Sequence, residues 1–179
     1  HRRDYKYEIE EVTSTLSKFI KEGKIGGFGF SEISPTSLRR ASEIHHVTAI
    51  QSEYSLWTRY PDLGMIQTCE ELGTSFVPFS PLGRGILSNN NLNPNNFSET
   101  DFRKNQPRFL EPNFTRNMKI VGNFRRFCEE RGWSAAATAV AWTLDQGEHI
   151  IPIPGTRSDA NLDDFVSGAQ IILNDADKN

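Results

Sequence analysis

The sequence predicts an α/β fold made of parallel strand–helix units, and three observations point to it. Short apolar runs alternate along the chain with longer segments whose apolar residues recur every three to four positions. Helix-capping signals, Gly at the ends and Ser or Ser–Pro at the starts, fall at the junctions. Polar and cationic residues gather at the C-terminal ends of the expected strands, the rim on which right-handed crossovers collect ligand groups.

The elements follow in order. Residues 8–22 place Ile9, Val12, Leu16, Phe19 and Ile20 at helical spacing, with Gly23 as the C-cap. "KIGGFGFSE" then supplies a Gly-punctuated strand at about 25–30, and Ser34–Pro35 opens a second helix. "VTAIQSEYSL" predicts a strand at 47–52, "PDLGMIQTCEELG" a helix closed by Gly73, and "TSFVPFSP" a strand at 74–79. Residues 115–131 and 134–147 read as two more helices, the second capped by Ser134 and rich in Ala. "HIIPIPG" returns to strand at 149–153, "TRSDANLDD" supplies a helix N-terminus, and "IILNDADKN" reads as the first turn of a final helix. Four βα units are half of an eight-fold barrel. Residues 83–114, rich in Asn and Pro, are too long for a plain connector and predict a functional flap or a mobile surface loop.

Bulk properties narrow the function. The 179 residues suit a single domain with a real core but are short for a complete large barrel. Twenty basic residues against 23 acidic ones give a net charge of −3, which offers no field for nucleic acid or an anionic membrane. No run reaches the roughly 18 to 20 apolar residues of a membrane span, and "HRRDYKYEIEE" lacks a signal-peptide core, so a cytoplasmic protein is expected. Cys69 and Cys128 stand far apart inside helical patterns and suggest neither a disulfide nor a metal site.

The strand ends hold Ser31–Glu32, Gln51–Ser52–Glu53, Phe79–Ser80–Pro81–Leu82 and Gly155–Thr156–Arg157. Any one of these small polar residues can simply cap the next helix, and Arg84 and Arg157 can be ordinary surface arginines. As a set they combine amide and hydroxyl donors, an aromatic ring and two guanidinium forks suited to phosphate. Gly155 permits close backbone approach, and the helix start after it offers N–H groups to an anion.

Taken together, "EGKIGGFGFSE", "QSEYSL", "PFSPLGRGIL", "DFRKNQPRF", "RGWSAAATAVAWTLDQG" and "PIPGTRSDANLDD" resemble, in order, the C-terminal half of the aldo-keto reductase superfamily. The resemblance implies part of a TIM-type (β/α)8 barrel, 1–179 forming one partial domain with 83–114 covering the cofactor. It implies an NADP(H)-dependent oxidoreductase that passes hydride between nicotinamide and a small aldehyde or ketone. Ser31, Glu32 and Gln51 would hold the carboxamide and Phe79 would stack on the ring, where the family often has Tyr. Ser80, Pro81, Leu82 and Arg84 would line the pyrophosphate, and Gly155, Thr156 and Arg157 would reach the adenosine phosphate, with Asn161 and Asp164 beyond them. Departures stand out: Glu32 replaces a common Asn, and Asn161, Asp164 and Phe165 replace a pattern of Arg or Gln followed by Glu–Asn, which should loosen the grip on adenine and ribose.

"HRRD" resembles the family's His-Arg-x-Asp motif, so His1 would be the histidine that orients the carbonyl oxygen. The family's catalytic Tyr, Lys and Asp belong to upstream segments. A truncated form, inactive alone and either self-associating or completed by an N-terminal half, is therefore expected. Two other readings stand beside it: a non-catalytic nucleotide-binding or regulatory module, and a phosphate-binding barrel of unrelated chemistry.

Overall fold

The computed structural model describes residues 2–178 and forms two compact units. His1, assigned a catalytic role from the sequence, lies outside the described residues.

The first unit comprises the chain up to Pro81 with Thr143–Ile153. Helix α1 (Ile9–Lys21) is followed by β1 (Gly29–Ser31), α2 (Pro35–Ser42), β2 (Ala49–Glu53), α3 (Met65–Glu71) and β3 (Ser75–Phe79). The strands form a parallel sheet in the order β1–β2–β3. Register fixes two faces. Phe30, Ile50 and Phe76 stand in one row, continued by a bridge from Phe76 to Ile150, and all four are buried. Helix α3 packs on β3 with Met65, Ile66 and Cys69 buried, and α2 packs on α3 with Leu38 and Ala41 buried. On the opposite face Ser31, Gln51 and Val77 share a row, and Glu53 and Phe79 form the next. That face is only partly covered.

Three expectations need correction here. The first strand begins at Gly29 rather than 25, because glycine fills the run before it and contributes no side chain to a sheet. At Gly29 itself glycine is required, since a Cβ would lie 2.4 Å from the Ala49 carbonyl oxygen across the ladder. The helical pattern of 61–73 splits into a 3-10 turn, Tyr60–Leu63, and α3, because Gly64 at φ 121° interrupts it. The helix expected over 8–22 forms as α1, where Ile9 is buried beside Thr13 and Ser17, whose small side chains let α1 approach α2.

The fourth strand forms only as two parallel bridges, Phe76 to Ile150 and Phe79 to Ile153. Phe76 N–H donates to His149 O at 2.8 Å, and Ile151 N–H returns to Phe76 O at 2.8 Å. The next step of the ladder should use the residue at 78, which faces the same way, but Pro78 has no N–H and only accepts, from Ile153 at 2.9 Å. Pro152 and Pro154 remove two further donors.

The second unit comprises Leu82–Trp142 and the chain from Pro154 onward. Residues 83–114 are not structureless. They form four single 3-10 turns, at Gly83–Gly85, Pro94–Asn96, Phe102–Asn105 and Pro107–Phe109. Arg103 knits them together. Its guanidinium binds both Asp101 oxygens, with Nη2–Oδ2 at 2.6 Å, and lies 4.2 Å over the Phe97 ring, which meets buried Phe109 edge-on. Helix α4 (Asn113–Glu130) and α5 (Ala135–Leu144) follow. Arg125 of α4 ties down Ser88 O at 2.6 Å and Asn90 O at 2.6 Å. The Ala-rich α5 is buried from Ala135 to Trp142, and Gly168, having no side chain, approaches it so closely that a Cβ there would lie 2.6 Å from Ala137 O. Helix α6 (Asp159–Ser167) and the short α7 (Asp175–Lys178) complete the unit, the latter matching the helical turn expected of the tail.

Candidate active site

In the first unit the site is built on the strand ends. Ser31 closes β1 in register with Gln51 of β2, on the partly covered face, and the Gln51 side chain is exposed with no hydrogen bond to a described residue. Glu32 turns the chain at φ 55°, a left-handed conformation in which L side chains are crowded. It extends the β1–β2 ladder twice over. Its N–H donates to Gln51 O at 3.0 Å, and its carboxylate accepts from Glu53 N–H at 2.8 Å. Thus the Glu32 carboxylate is held by backbone at the strand end. Phe79, the last residue of β3, is half-buried beside Glu53 in register. Ser80 follows at φ 54° and Pro81 is buried.

Beneath this rim Tyr54 is fully buried and meets Phe76 edge-on, with ring centres 5.8 Å apart. Its hydroxyl donates to Asp62 Oδ1 at 2.5 Å, and the other Asp62 oxygen is paired with Arg59. Burial, then Asp62, pushes the phenol well above its ordinary range. Sequence reasoning did not find this anchor, since Asp62 sits inside an apparent helix.

In the second unit Leu82, Gly155, Asn161 and Asp164, all expected from the sequence, line a cavity of about 150 Å³. Ser88 and Asn89 line it too and were missed, although the polar run after "GRGIL" was a signal. Asn89 Oδ1 caps α5 by accepting from Ala135 N–H at 2.9 Å. Asp164 is tethered to the same helix start: Ser134 Oγ donates to Asp164 Oδ1 at 2.5 Å while accepting from Ala137 N–H at 2.9 Å. Phe165 is buried against the cavity. Arg84, Thr156 and Arg157 do not line it. Arg84 stands in the Gly83–Gly85 turn at φ 66°, with its guanidinium 5.3 Å over the Phe102 ring. Thr156 Oγ1 accepts from Ser158 N–H at 3.1 Å, and Arg157 is exposed. Ser158 caps α6 without a side-chain hydrogen bond, so the first-turn N–H groups of α6 have no side-chain acceptor from their cap.

One backbone feature unites the set. Among the described residues the non-glycine positions with positive φ are Glu32, Ser80 and Arg84, and each was singled out from the sequence as a ligand-binding position. Such conformations cost about 1–3 kcal/mol each and cluster at functional sites. Among the described residues no three His, Cys, Asp or Glu side chains gather as a metal site, and no helix is long and apolar enough to cross a membrane.

Residues 1–178 match the family model described as the Aldo/keto reductase family. The chain belongs to the aldo-keto reductase family. Over 177 residues it is 38% identical to probable aldo-keto reductase 1 of Glycine max, a match covering 99% of this chain and 51% of that protein. The structure of a glycerol dehydrogenase from Gluconobacter oxydans is 29% identical and superposes with a TM-score of 0.91, covering 99% of this chain and 54% of the other. A thermostable aldo-keto reductase solved with the inhibitor epalrestat, 19% identical over 99% of this chain and 55% of its own, shares the fold at a TM-score of 0.74. The chain thus spans about half the length of these relatives. Aldo-keto reductases are oxidoreductases that generally bind a nicotinamide cofactor, and this aldo-keto reductase chain contributes to that fold an α/β arrangement with a three-stranded parallel sheet.

Proposed function

We propose that this chain forms the cofactor-binding, C-terminal part of an NADP(H)-dependent (β/α)8-barrel aldo-keto reductase acting on small aldehydes or ketones. When bound, the nicotinamide supplies a hydride to the carbonyl carbon. The observation that supports the reading is the coincidence of the three left-handed residues, Glu32, Ser80 and Arg84, with the positions expected to touch the dinucleotide.

The residues present fit such a ligand. Ser31 and Gln51, side by side in register, can donate to and accept from a carboxamide, and the clamp of Glu32 on Glu53 N–H holds that edge of the sheet still. The half-buried Phe79 ring offers a stacking surface. In the second unit Arg157, Thr156 and the open start of α6 suit a phosphate, while the Asn- and Asp-lined cavity suits a ribose or adenine edge. The segment 83–114, pinned by Arg103, would cover the cofactor. The proton donor and its tuning Lys and Asp would come from the part of the barrel that these residues do not include, with His1 orienting the carbonyl, so the isolated chain would bind cofactor without turnover. The likeness to a glycerol dehydrogenase makes small polyols and their carbonyl counterparts the first substrates to try with a completed barrel.

Titrating NADPH into the chain while following nicotinamide fluorescence tests the cofactor claim. Saturable binding is expected, weakened roughly fivefold in Arg157→Ala, since an exposed charge pair contributes about 1 kcal/mol. No binding at millimolar cofactor, with the variant indistinguishable, would refute it.

A further inference from the structure

The segment from Asn93 to Phe114 encloses a second cavity, of about 340 Å³, that shares no lining residue with the one beside Asp164. None of the positions expected to touch the dinucleotide lines it. Its volume lies within the range of small-molecule pockets, about 300–1,000 Å³.

Its lining is divided by chemistry. Phe109, Leu110, Phe114 and Pro94 are apolar. Phe109 is buried and fixed edge-on against Phe97 at 5.5 Å, while Leu110 is 44% exposed, an apolar side chain left at the opening. The polar part holds one cation, Lys104. Its ammonium is 2.6 Å from Glu99 Oε1, but the Glu99 side chain is 94% exposed and does not line the cavity. An exposed pair of that kind contributes little, so another carboxylate can displace Glu99 at little cost. Asn93 uses its Oδ1 to accept Asn95 N–H at 3.0 Å, which leaves its amide N–H groups to donate. The lining acid, Glu111, is already engaged by Thr115, with Oγ1–Oε1 at 2.9 Å and N–Oε2 at 3.4 Å.

We propose that this cavity binds a small aromatic monocarboxylate, its ring against Phe109, Leu110 and Phe114 and its carboxylate on Lys104. The apolar wall sets the aromatic part of the ligand, and the exchangeable Lys104 sets its charge. The site lies in the segment proposed to cover the cofactor but uses none of the residues assigned to touch the dinucleotide.

The test is calorimetric titration of the full chain with 2-naphthoate, beside 2-naphthol as the neutral analogue. Expected are saturable naphthoate binding, weaker binding of naphthol, a loss of about fivefold in Lys104→Gln and about tenfold in Leu110→Asp, both at exposed or half-exposed positions that the fold tolerates. Unchanged naphthoate affinity in the presence of saturating NADPH is also expected. The proposal is overturned by absence of binding at millimolar naphthoate, by naphthol binding as tightly, by wild-type affinity in both variants, or by competition with NADPH.

Discussion

Removing one oxygen from Tyr54 gives a test whose size and pH signature both follow from the structure. In Tyr54→Phe the ring keeps its place, since the side chain is fully buried and its edge-on contact with Phe76 needs no hydroxyl. What is lost is the bond to Asp62 Oδ1 at 2.5 Å, a hydrogen bond to a charged acceptor that contributes about 1.5–3 kcal/mol. Asp62 keeps Arg59, so no isolated charge is created. We expect a destabilisation of about 2 kcal/mol at pH 7 by urea denaturation, or roughly 4–8 °C in Tm for a chain of this size. The phenol is raised in the folded state, first by burial and then by Asp62. A raised pKa stabilises the fold fully below the unfolded-state value, near 10, and that stability is lost as pH climbs past it. At pH 11 the unfolded tyrosine gains about 1.4 kcal/mol by ionising, while the buried one stays neutral. Phenylalanine cannot ionise. The difference between wild type and variant should therefore shrink from about 2 kcal/mol at pH 7 to about 0.5 kcal/mol at pH 11. A difference that is independent of pH would refute the buried, neutral phenol, and no difference at pH 7 would refute the Asp62 bond.

Other perturbations have equally definite outcomes. Gly29→Ala forces a Cβ to within 2.4 Å of Ala49 O, so β1 must separate from β2, with a cost of about 1–3 kcal/mol in thermal melting; a wild-type melt would contradict the register. Burial pushes the Cys69 thiol up to about 12 and raises Cys128 as well, so both should resist a thiol-specific dye at pH 8 until the chain unfolds, and fast labelling of either would show that its helix is misplaced. Hydrogen bonds from Arg103 hold the Asp101 carboxyl below its usual range, so its contribution is in place above about pH 4 and fades as pH falls below it. Asp101→Asn should open the 83–114 segment to limited proteolysis at neutral pH, and an unchanged cleavage rate would show that Arg103 does not hold it.

Much of the fold was legible because it rests on local chemistry. The cap at Ser34, whose Oγ accepts Ser37 N–H at 3.1 Å, and the helix after it follow from neighbouring residues alone. The strand-end positions were legible for a similar reason: once strands alternate with helices, their C-terminal residues are fixed in sequence. The fourth strand was misjudged because its pairing depends on a donor that another strand lacks, Pro78, and no reading of 149–153 by itself shows that. The Tyr54 hydroxyl donates to Asp62 and lies 3.5 Å from Gln146 Oε1, 92 residues away in sequence, and this setting was invisible for the same reason. Residues 83–114 look like a loop to any periodicity argument, yet Arg103 and Phe97 order them by contacts within the segment.

Asp164 shows most clearly how a structural bond bears on the proposed ligand. Its carboxylate lines the cavity and at the same time accepts the Ser134 hydroxyl that caps α5. An amide at this position keeps an oxygen for Ser134 but removes the negative charge, so Asp164→Asn should leave the α5 cap intact while changing the electrostatics of the cavity. If the adenosine end of the dinucleotide lies there, a 2′-phosphate would meet that charge, whereas a 2′-hydroxyl would donate to it. A charge separation of about 6 Å at an effective dielectric of 40 gives about 1.4 kcal/mol per unit charge, or roughly tenfold. Asp164→Asn is therefore expected to tighten NADPH by about three- to tenfold and to leave NADH equal or weaker, with an unchanged melting curve. Asp164→Ala should instead lower the melt by removing the tether. Equal effects of Asp164→Asn on both cofactors would take the adenosine ribose and its 2′ position out of this cavity, and would reduce Asp164 to the helix tether that the Ser134 bond already makes it.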